Sequence, residues 1–168
     1  MNSGELMKSL TCCFTGHRVL EEDAKKVEKK LERAIEDLVR EGVRCFAAGG
    51  AQGFDTLAAL TVLRLRERWP DIELKLVLPC RDQAKSWPRL DRERYDWIRA
   101  RADSVSYVSE RYHRGCMHMR NRQLVDMSSR CVCYLTKPTG GTKYTVGYCK
   151  TKGVPVINIA VDAIPGAE

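Results

Sequence analysis

Two glycine-rich turns carry residue types that bind anions in proteins. Residues 49–55 read Gly-Gly-Ala-Gln-Gly-Phe-Asp, and residues 140–142 read Gly-Gly-Thr. A glycine turn that leads into a helix presents free backbone N–H groups, and the positive end of the helix dipole, to a phosphate or carboxylate. For either turn alone, glycine could serve merely to permit a tight strand-to-helix turn. Two such turns accompanied by Arg18 and Arg120 favour an anion-binding site in which both arginines hold phosphate groups.

Three side chains that follow the predicted strands each have two interpretations. Asp55 either caps the helix that follows it or accepts hydrogen bonds from ribose hydroxyls. Trp87 either stacks on a nucleobase or fills an apolar patch. His17 either transfers protons or is a hydrogen-bonded turn residue, and the second interpretation is favoured. Neither turn is followed by Gly-Lys-Ser/Thr and no G-x-G-x-x-G follows the first strand, so neither a P-loop nor a dinucleotide fingerprint is predicted.

Composition and charge restrict the class of protein. The chain has 168 residues, of which 43% are hydrophobic and 30% charged, and this excludes a disordered chain. The net charge of +7 favours polyanions or phosphate-bearing ligands, and residues 111–122 hold four arginines and two histidines without an acid. No apolar run is long enough to span a bilayer, and residues 1–10 lack the apolar stretch of a secretory signal. We therefore expect a cytoplasmic protein without membrane contact.

The eight cysteines include no C-x-x-C pair, and about half lie in apolar, strand-like runs where a reduced thiol acts as a small hydrophobe. Reduced thiols are typical of the cytoplasm. A metal site formed by His113, Cys116 and His118 is disfavoured, because these residues lie in a loop-like stretch without paired ligand spacing. We predict neither a metal nor a cofactor.

Strand-like and helical segments alternate along the chain. Strands are predicted at 10–15, 44–48, 73–78, 104–108, 130–135 and 154–160, and helices at 23–40, 55–68, 91–102, 117–127 and from the 140–141 glycine pair to 152. This rhythm predicts an α/β fold: a three-layer, doubly wound, Rossmann-like and mostly parallel sheet. One domain is expected over residues 10–162, with an N-terminal extension at 1–9 and a frayed C-terminal tail at 163–168.

The carboxyl ends of parallel strands meet at one edge of the sheet, where ligands bind at the point of strand-order reversal. The predicted site therefore consists of residues that follow the strands. These are Gly16, His17, Arg18, Gly49, Gly50, Gln52, Gly53, Asp55, Pro79, Trp87, Arg120, Asn121, Gly140, Gly141 and Thr142.

In order and spacing, these motifs resemble the YpsA-like family of the SLOG superfamily, and the resemblance covers about residues 10–160. The superfamily also contains DprA-type DNA-processing proteins and the LOG cytokinin-activating phosphoribohydrolases. The resemblance implies a Rossmann-like domain that binds a nucleotide or nucleotide-derived ligand across the strand ends. It implies that the residues named above, His17 and Gln52 aside, line that pocket.

The acidic residues of LOG enzymes have no counterpart at the matching positions of this chain. LOG enzymes place acidic residues two and three positions after the threonine of their Gly-Thr motif, where this chain has Tyr144 and Thr145. We therefore favour a sensor or sequestering module for an ADP-ribose-like or cyclic nucleotide. The alternatives are an N-glycosidic hydrolase that uses Asp55 and, less favoured, DprA-like single-stranded DNA binding. A homo-oligomer is compatible with this sequence.

Overall fold

The computed structural model describes residues 1–160, over which six strands form one sheet. The strands are β1 (Thr11–Gly16), β2 (Cys45–Ala48), β3 (Glu73–Cys80), β4 (Ser104–Ser109), β5 (Arg130–Tyr134) and β6 (Val156–Asn158). The helices are α1 (Ser3–Ser9), α2 (Ala24–Arg40), α3 (Phe54–Leu65), α4 (Arg89–Arg101), α5 (Cys116–Asp126) and α6 (Gly141–Lys152). The strand order is β4-β3-β2-β1-β5-β6, and every neighbouring pair is parallel.

Helices cover both faces of the sheet, which confirms the predicted three-layer Rossmann-like fold. One apolar core joins α2, α3 and α4 to the sheet, and a second joins α5 and α6 to the other face. Successive strand residues alternate between the two cores: Phe14 lies in the first, whereas Cys13 lies in the second. Because both faces of the four inner strands β3, β2, β1 and β5 are covered, these strands are mainly apolar, whereas the edge strand β4 alternates serine with apolar residues and is only partly buried.

Helix α2 shows how the sequence determines these layers. Val27, Leu31, Ile35 and Leu38 recur at helical spacing, and all four side chains are buried against the sheet. The side chain of Asp23 accepts a hydrogen bond from the Lys25 N–H at 2.9 Å and so caps the first turn. The apolar stripe and the cap together fix where this helix begins and which face it buries.

The strand order reverses between β1 and β5. The chain adds β2, β3 and β4 outward on one side of β1 and then returns to place β5 and β6 on the other side. Gly16, the last residue of β1, pairs with Tyr134, the last residue of β5. A crevice for ligands is expected at the carboxyl ends of these two strands.

Several boundaries differ from the sequence-based prediction. The N-terminal extension contains α1, which a reciprocal capping box between Asn2 and Glu5 begins. Strand β3 continues past Pro79 because Cys80 still pairs with Ser109. The predicted tail at 163–168 and the domain boundary at 162 lie outside the described residues. Within them every cysteine is buried and free, and no helix has both the length and the apolar character needed to cross a membrane.

Candidate functional site

A cleft of about 300 Å³ lies at the reversal point between β1 and β5. This volume is at the lower end of the roughly 300–1,000 Å³ of small-molecule pockets. Its lining contains many of the predicted residues, namely Gly16, His17, Arg18, Asp55, Arg120, Asn121, Gly141 and Thr142. It also contains residues outside the predicted ligand-binding set, namely Phe14, Thr15, Ala51, Met117 and His118. The cleft therefore gathers the end of β1, the β2–α3 turn and the first turns of α5 and α6.

The first turn of α6 offers free hydrogen-bond donors to this cleft. Gly140 is its N-cap residue and no side chain within residues 1–160 caps it. The first intrahelical bond of this turn runs from the Tyr144 N–H to the Gly140 carbonyl at 3.0 Å, so the amides of residues 141–143 precede it. The space beside Gly141 is open, since a Cβ atom there would come no closer than 4.0 Å to Asn121 Nδ2. This helix start can receive an anion.

In the 49–55 turn, two backbone donors are bonded to the chain's own oxygen atoms. The Phe54 N–H donates to the His17 carbonyl at 3.1 Å, and the Ala51 N–H donates to Asp55 Oδ2 at 3.2 Å. Gly53, not Asp55, is the N-cap residue, so the capping interpretation of Asp55 is wrong. The 49–55 turn thus differs from the first turn of α6, because two of its N–H groups already donate to a carbonyl and a carboxylate of the chain.

The glycines of the β2–α3 turn make room for protein atoms. Gly53 has a φ of +76°, and a Cβ there would overlap the backbone carbonyl of Arg18. A Cβ at Gly49 would overlap the guanidinium of Arg120, and one at Gly50 would overlap Leu78. These three glycines therefore leave space for Arg18, Arg120 and Leu78 and are not part of the cleft lining.

Two buried groups of opposite charge, Arg120 and Asp55, line the cleft. Arg120 and Asp55 are only 5% and 6% exposed. Arg120 donates to the Gly49 carbonyl and, from Nε, to Asn121 Oδ1 at 2.7 Å. Burial raises the pKa of the Asp55 carboxyl and lowers the pKa of the Arg120 guanidinium, and the charge of each partner opposes the shift of the other. Much of the donor capacity of Arg120 is thus used within the protein.

Arg18 supplies the accessible positive charge of the cleft. Its side chain is exposed, and within residues 1–160 its guanidinium forms neither a hydrogen bond nor an ion pair. Its backbone is fixed by the close contact with Gly53 described above. An arginine whose backbone is held while its guanidinium is free can bind a phosphate or carboxylate in a bidentate manner.

His17 is held as a hydrogen-bond acceptor. The Thr136 N–H donates to His17 Nε2 at 2.9 Å, and the ring packs edge-on against Tyr134. Burial, followed by the charge of Lys137, lowers the pKa of His17 below its ordinary value of 6.5. The neutral ring with an unprotonated Nε2 matches this arrangement, which supports the interpretation as a turn residue.

This lowered pKa predicts a pH-dependent stability. The folded state binds a proton at His17 less readily than the unfolded state, so the stabilisation is present above about pH 6.5 and is lost as the pH falls below it. The loss is at most about 1.4 kcal/mol per pH unit. Urea unfolding at pH 7.5 and 5.5 should show a smaller pH effect in His17→Gln than in the wild type. Equal pH effects in the two proteins would contradict this assignment.

The remaining predicted residues lie outside the cleft lining. Trp87 packs edge-on against Tyr95, with ring centroids 5.3 Å apart, and contacts the first core, as its apolar interpretation states. Pro79 is buried within β3. Gln52 Nε2 donates to Asp91 Oδ2 at 3.1 Å and so ties the turn to α4. Gly140 precedes α6 as its N-cap and does not itself line the cavity.

The basic stretch at 111–122 is divided by the fold. Residues 111–115 form an exposed segment, and α5 then begins at Cys116 and carries Arg120 into the interior. Within residues 1–160, no three His, Cys, Asp or Glu side chains are arranged to hold a metal ion. Two of the disfavoured metal ligands differ in burial, since Cys116 is buried whereas His113 is exposed.

The positions of the LOG acidic residues hold no carboxylate. Thr145 is buried, and its hydroxyl donates to the Gly141 carbonyl at 2.9 Å. Tyr144 is exposed, and its hydroxyl accepts a hydrogen bond from Arg122 Nη1 at 2.8 Å. Asp55 is the carboxylate that lines the cleft within residues 1–160.

Comparison with known proteins identifies the family and the fold of the chain. The family model of the YspA SLOG family matches residues 12–158. The chain belongs to the YspA SLOG family. Among its relatives, UPF0398 proteins of Bacillus cereus strain G9842 and Bacillus thuringiensis strain Al Hakam are each 26% identical over 130 residues. These matches cover 76% of this YspA SLOG chain and 71% of each relative.

Two solved structures share the fold of this YspA SLOG protein. One is DNA processing protein A from Helicobacter pylori, described for its single-stranded DNA binding mode, with a TM-score of 0.66 at 16% identity. The match covers 92% of this chain and 67% of the H. pylori chain. DprA from Streptococcus pneumoniae has a TM-score of 0.65 at 19% identity. That match covers 90% of this chain and 50% of the S. pneumoniae chain.

Proposed function

We propose that the cleft binds the phosphate group of a nucleotide or nucleotide-derived ligand. The observation that carries this proposal is the uncapped first turn of α6, which lines the same cavity as the free guanidinium of Arg18. Backbone N–H groups and a guanidinium are the two donor types that proteins use most readily for phosphates. The buried Arg120 offsets the negative charge of Asp55, which lines the same cavity.

Binding without rapid turnover is the favoured role, as in a cytoplasmic sensor or sequestering module for an ADP-ribose-like or cyclic nucleotide. The carboxylate at the cleft, Asp55, is held by the Ala51 N–H and faces the charge of Arg120. Most glycoside hydrolases use two carboxylates, one as acid and one as base or nucleophile, and by analogy an N-glycosidic hydrolase needs an acid and a base at the bond. The described cleft offers one, so a hydrolase remains the alternative proposal.

Single-stranded DNA binding is a second candidate, favoured by one observation. The exposed 111–115 segment leads directly into the α5 turn that lines the cleft, and Tyr112 within it is 63% exposed between arginines. Cations and an exposed aromatic ring beside a phosphate site are features of single-strand binding surfaces. We rank DNA binding below nucleotide binding because the donors of the cleft itself suit one phosphate group.

Calorimetric titration with AMP and with adenosine tests the proposal, because the two ligands differ only in the phosphate. We expect AMP to bind at least tenfold more tightly, a difference of about 1.4 kcal/mol. Equal affinities, or no binding of either ligand, would overturn a phosphate site. Titration with a thymidine oligonucleotide at two salt concentrations addresses the second candidate, whose affinity must fall steeply with salt. Chromatography of the AMP sample for free adenine addresses the hydrolase alternative.

A further inference from the structure

Two stacked aromatic rings stand at the edge of the cleft. The rings of His118 and Tyr144 lie nearly parallel, with centroids 4.2 Å apart and an interplanar angle of 8°. His118 lines the cavity and is exposed, and Tyr144 is 36% exposed. One ring comes from the first turn of α5 and the other from the first turn of α6, so the pair bridges the two helices that border the cleft.

A hydrogen bond and the place of Tyr144 in α6 determine where this ring pair lies. Arg122 Nη1 donates to the Tyr144 hydroxyl at 2.8 Å and so holds the tyrosine ring beside α5. Tyr144 follows directly after the free amides of the α6 turn, so the rings lie about one helical turn from the proposed phosphate position. This ordered pair therefore presents an aromatic surface next to the phosphate donors.

Other aromatic rings are not available to a ligand in the cleft. Phe14 lines the cavity but is 1% exposed, because its ring packs between Phe46 and Phe54. Trp87 packs against Tyr95 outside the cavity. His17 also lines the cavity, but its half-buried ring accepts the Thr136 N–H and packs against Tyr134. Among the rings that line the cleft over residues 1–160, the exposed one is that of His118.

We propose that the His118–Tyr144 pair is the nucleobase subsite, with the base stacked on the imidazole of His118 and Tyr144 supporting that ring from behind. This inference rests on the proposed phosphate site and extends it to the rest of the ligand. Stacking on such a surface tolerates different bases, because every base has a π face. The subsite therefore selects for a nucleobase as a class, and the α6 amides and Arg18 select for the phosphate.

The test compares AMP with ribose 5-phosphate, which keeps the sugar and the phosphate but lacks the base. In His118→Ala, we expect AMP to bind about 5- to 150-fold more weakly than in the wild type, while ribose 5-phosphate binds equally well. His118→Phe retains a ring face and should restore AMP binding. Tyr144→Leu should also weaken AMP binding. The matched control is Tyr148→Leu, because Tyr148 lies on the same helix as Tyr144 but donates its hydroxyl to Asp126 on α5.

Each outcome of this comparison has a definite meaning. Unchanged AMP affinity in His118→Ala, or an equal loss for both ligands, would overturn the base subsite. Wild-type protein that binds ribose 5-phosphate as tightly as AMP would overturn the base subsite and leave the phosphate site intact. Wild-type protein that binds neither ligand would overturn both. Thermal unfolding of every variant confirms that the compared proteins are equally folded.

Discussion

Replacing Arg120 with methionine should lower the free energy of unfolding by about 3–5 kcal/mol. Methionine fills much of the same space, but it leaves the carboxylate of Asp55 buried without its countercharge and removes the donor to the Gly49 carbonyl. In a protein of this size, such a loss corresponds to a fall in Tm of roughly 6–20 °C. Thermal and urea unfolding measure it directly.

A second variant separates charge from packing. Asp55→Asn combined with Arg120→Met removes both charges, and the asparagine amide oxygen can still accept the hydrogen bond from the Ala51 N–H. We expect the double variant to be more stable than Arg120→Met alone, because no buried charge remains uncompensated. If the loss of unfolding free energy in the double variant instead equals the sum of the losses in Asp55→Asn and in Arg120→Met, Asp55 and Arg120 do not act as a pair.

Replacing Arg18 with alanine should weaken AMP binding by about 10- to 150-fold, which corresponds to the roughly 1.5–3 kcal/mol of a charge-assisted hydrogen bond. The side chain is exposed and forms no hydrogen bond or ion pair within residues 1–160, so stability should change by less than about 0.5 kcal/mol. Calorimetric titration and thermal unfolding of one sample give both quantities.

The control for Arg18 must reproduce the change in net charge. Arg33 is an exposed arginine on α2 that borders a separate groove beside Ile157 and Ile159. Arg33→Ala should leave AMP affinity within about twofold of the wild type, because screening reduces the effect of a distant surface charge. Equal losses in the two variants would mean that Arg18 acts through net charge and not through contact with the phosphate.

The layered fold could be predicted from the sequence because its signals are local. The apolar stripe of α2 and the apolar runs of the strands are visible in short windows, and the parallel crossover rule arranges them into one sheet. The position of the cleft then follows from where the strand order reverses. Gly141, Thr142 and Arg18 could be placed at one site on this basis alone.

Other features depend on contacts between distant residues. Arg120 reaches the Gly49 carbonyl across 71 positions of sequence, so no local pattern reveals that this glycine accommodates a guanidinium. The sequence around Trp87 fits a stacking residue and an apolar side chain equally well, and its contact with Tyr95, eight positions away on α4, distinguishes the two. The stack of His118 on Tyr144 joins two helices, and its sequence signal was no more than a histidine within a basic stretch.

A pair of substitutions at Gly141 tests the phosphate site most directly. Proline is tolerated at the first position of a helix and removes the N–H at that position, whereas alanine keeps the N–H and its Cβ meets nothing nearer than Asn121 Nδ2 at 4.0 Å. We expect Gly141→Pro to bind AMP about 10- to 150-fold more weakly and Gly141→Ala to bind within about threefold of the wild type, at similar Tm. Wild-type affinity in the proline variant, or an equal loss in the alanine variant, would contradict phosphate binding by the amides of α6.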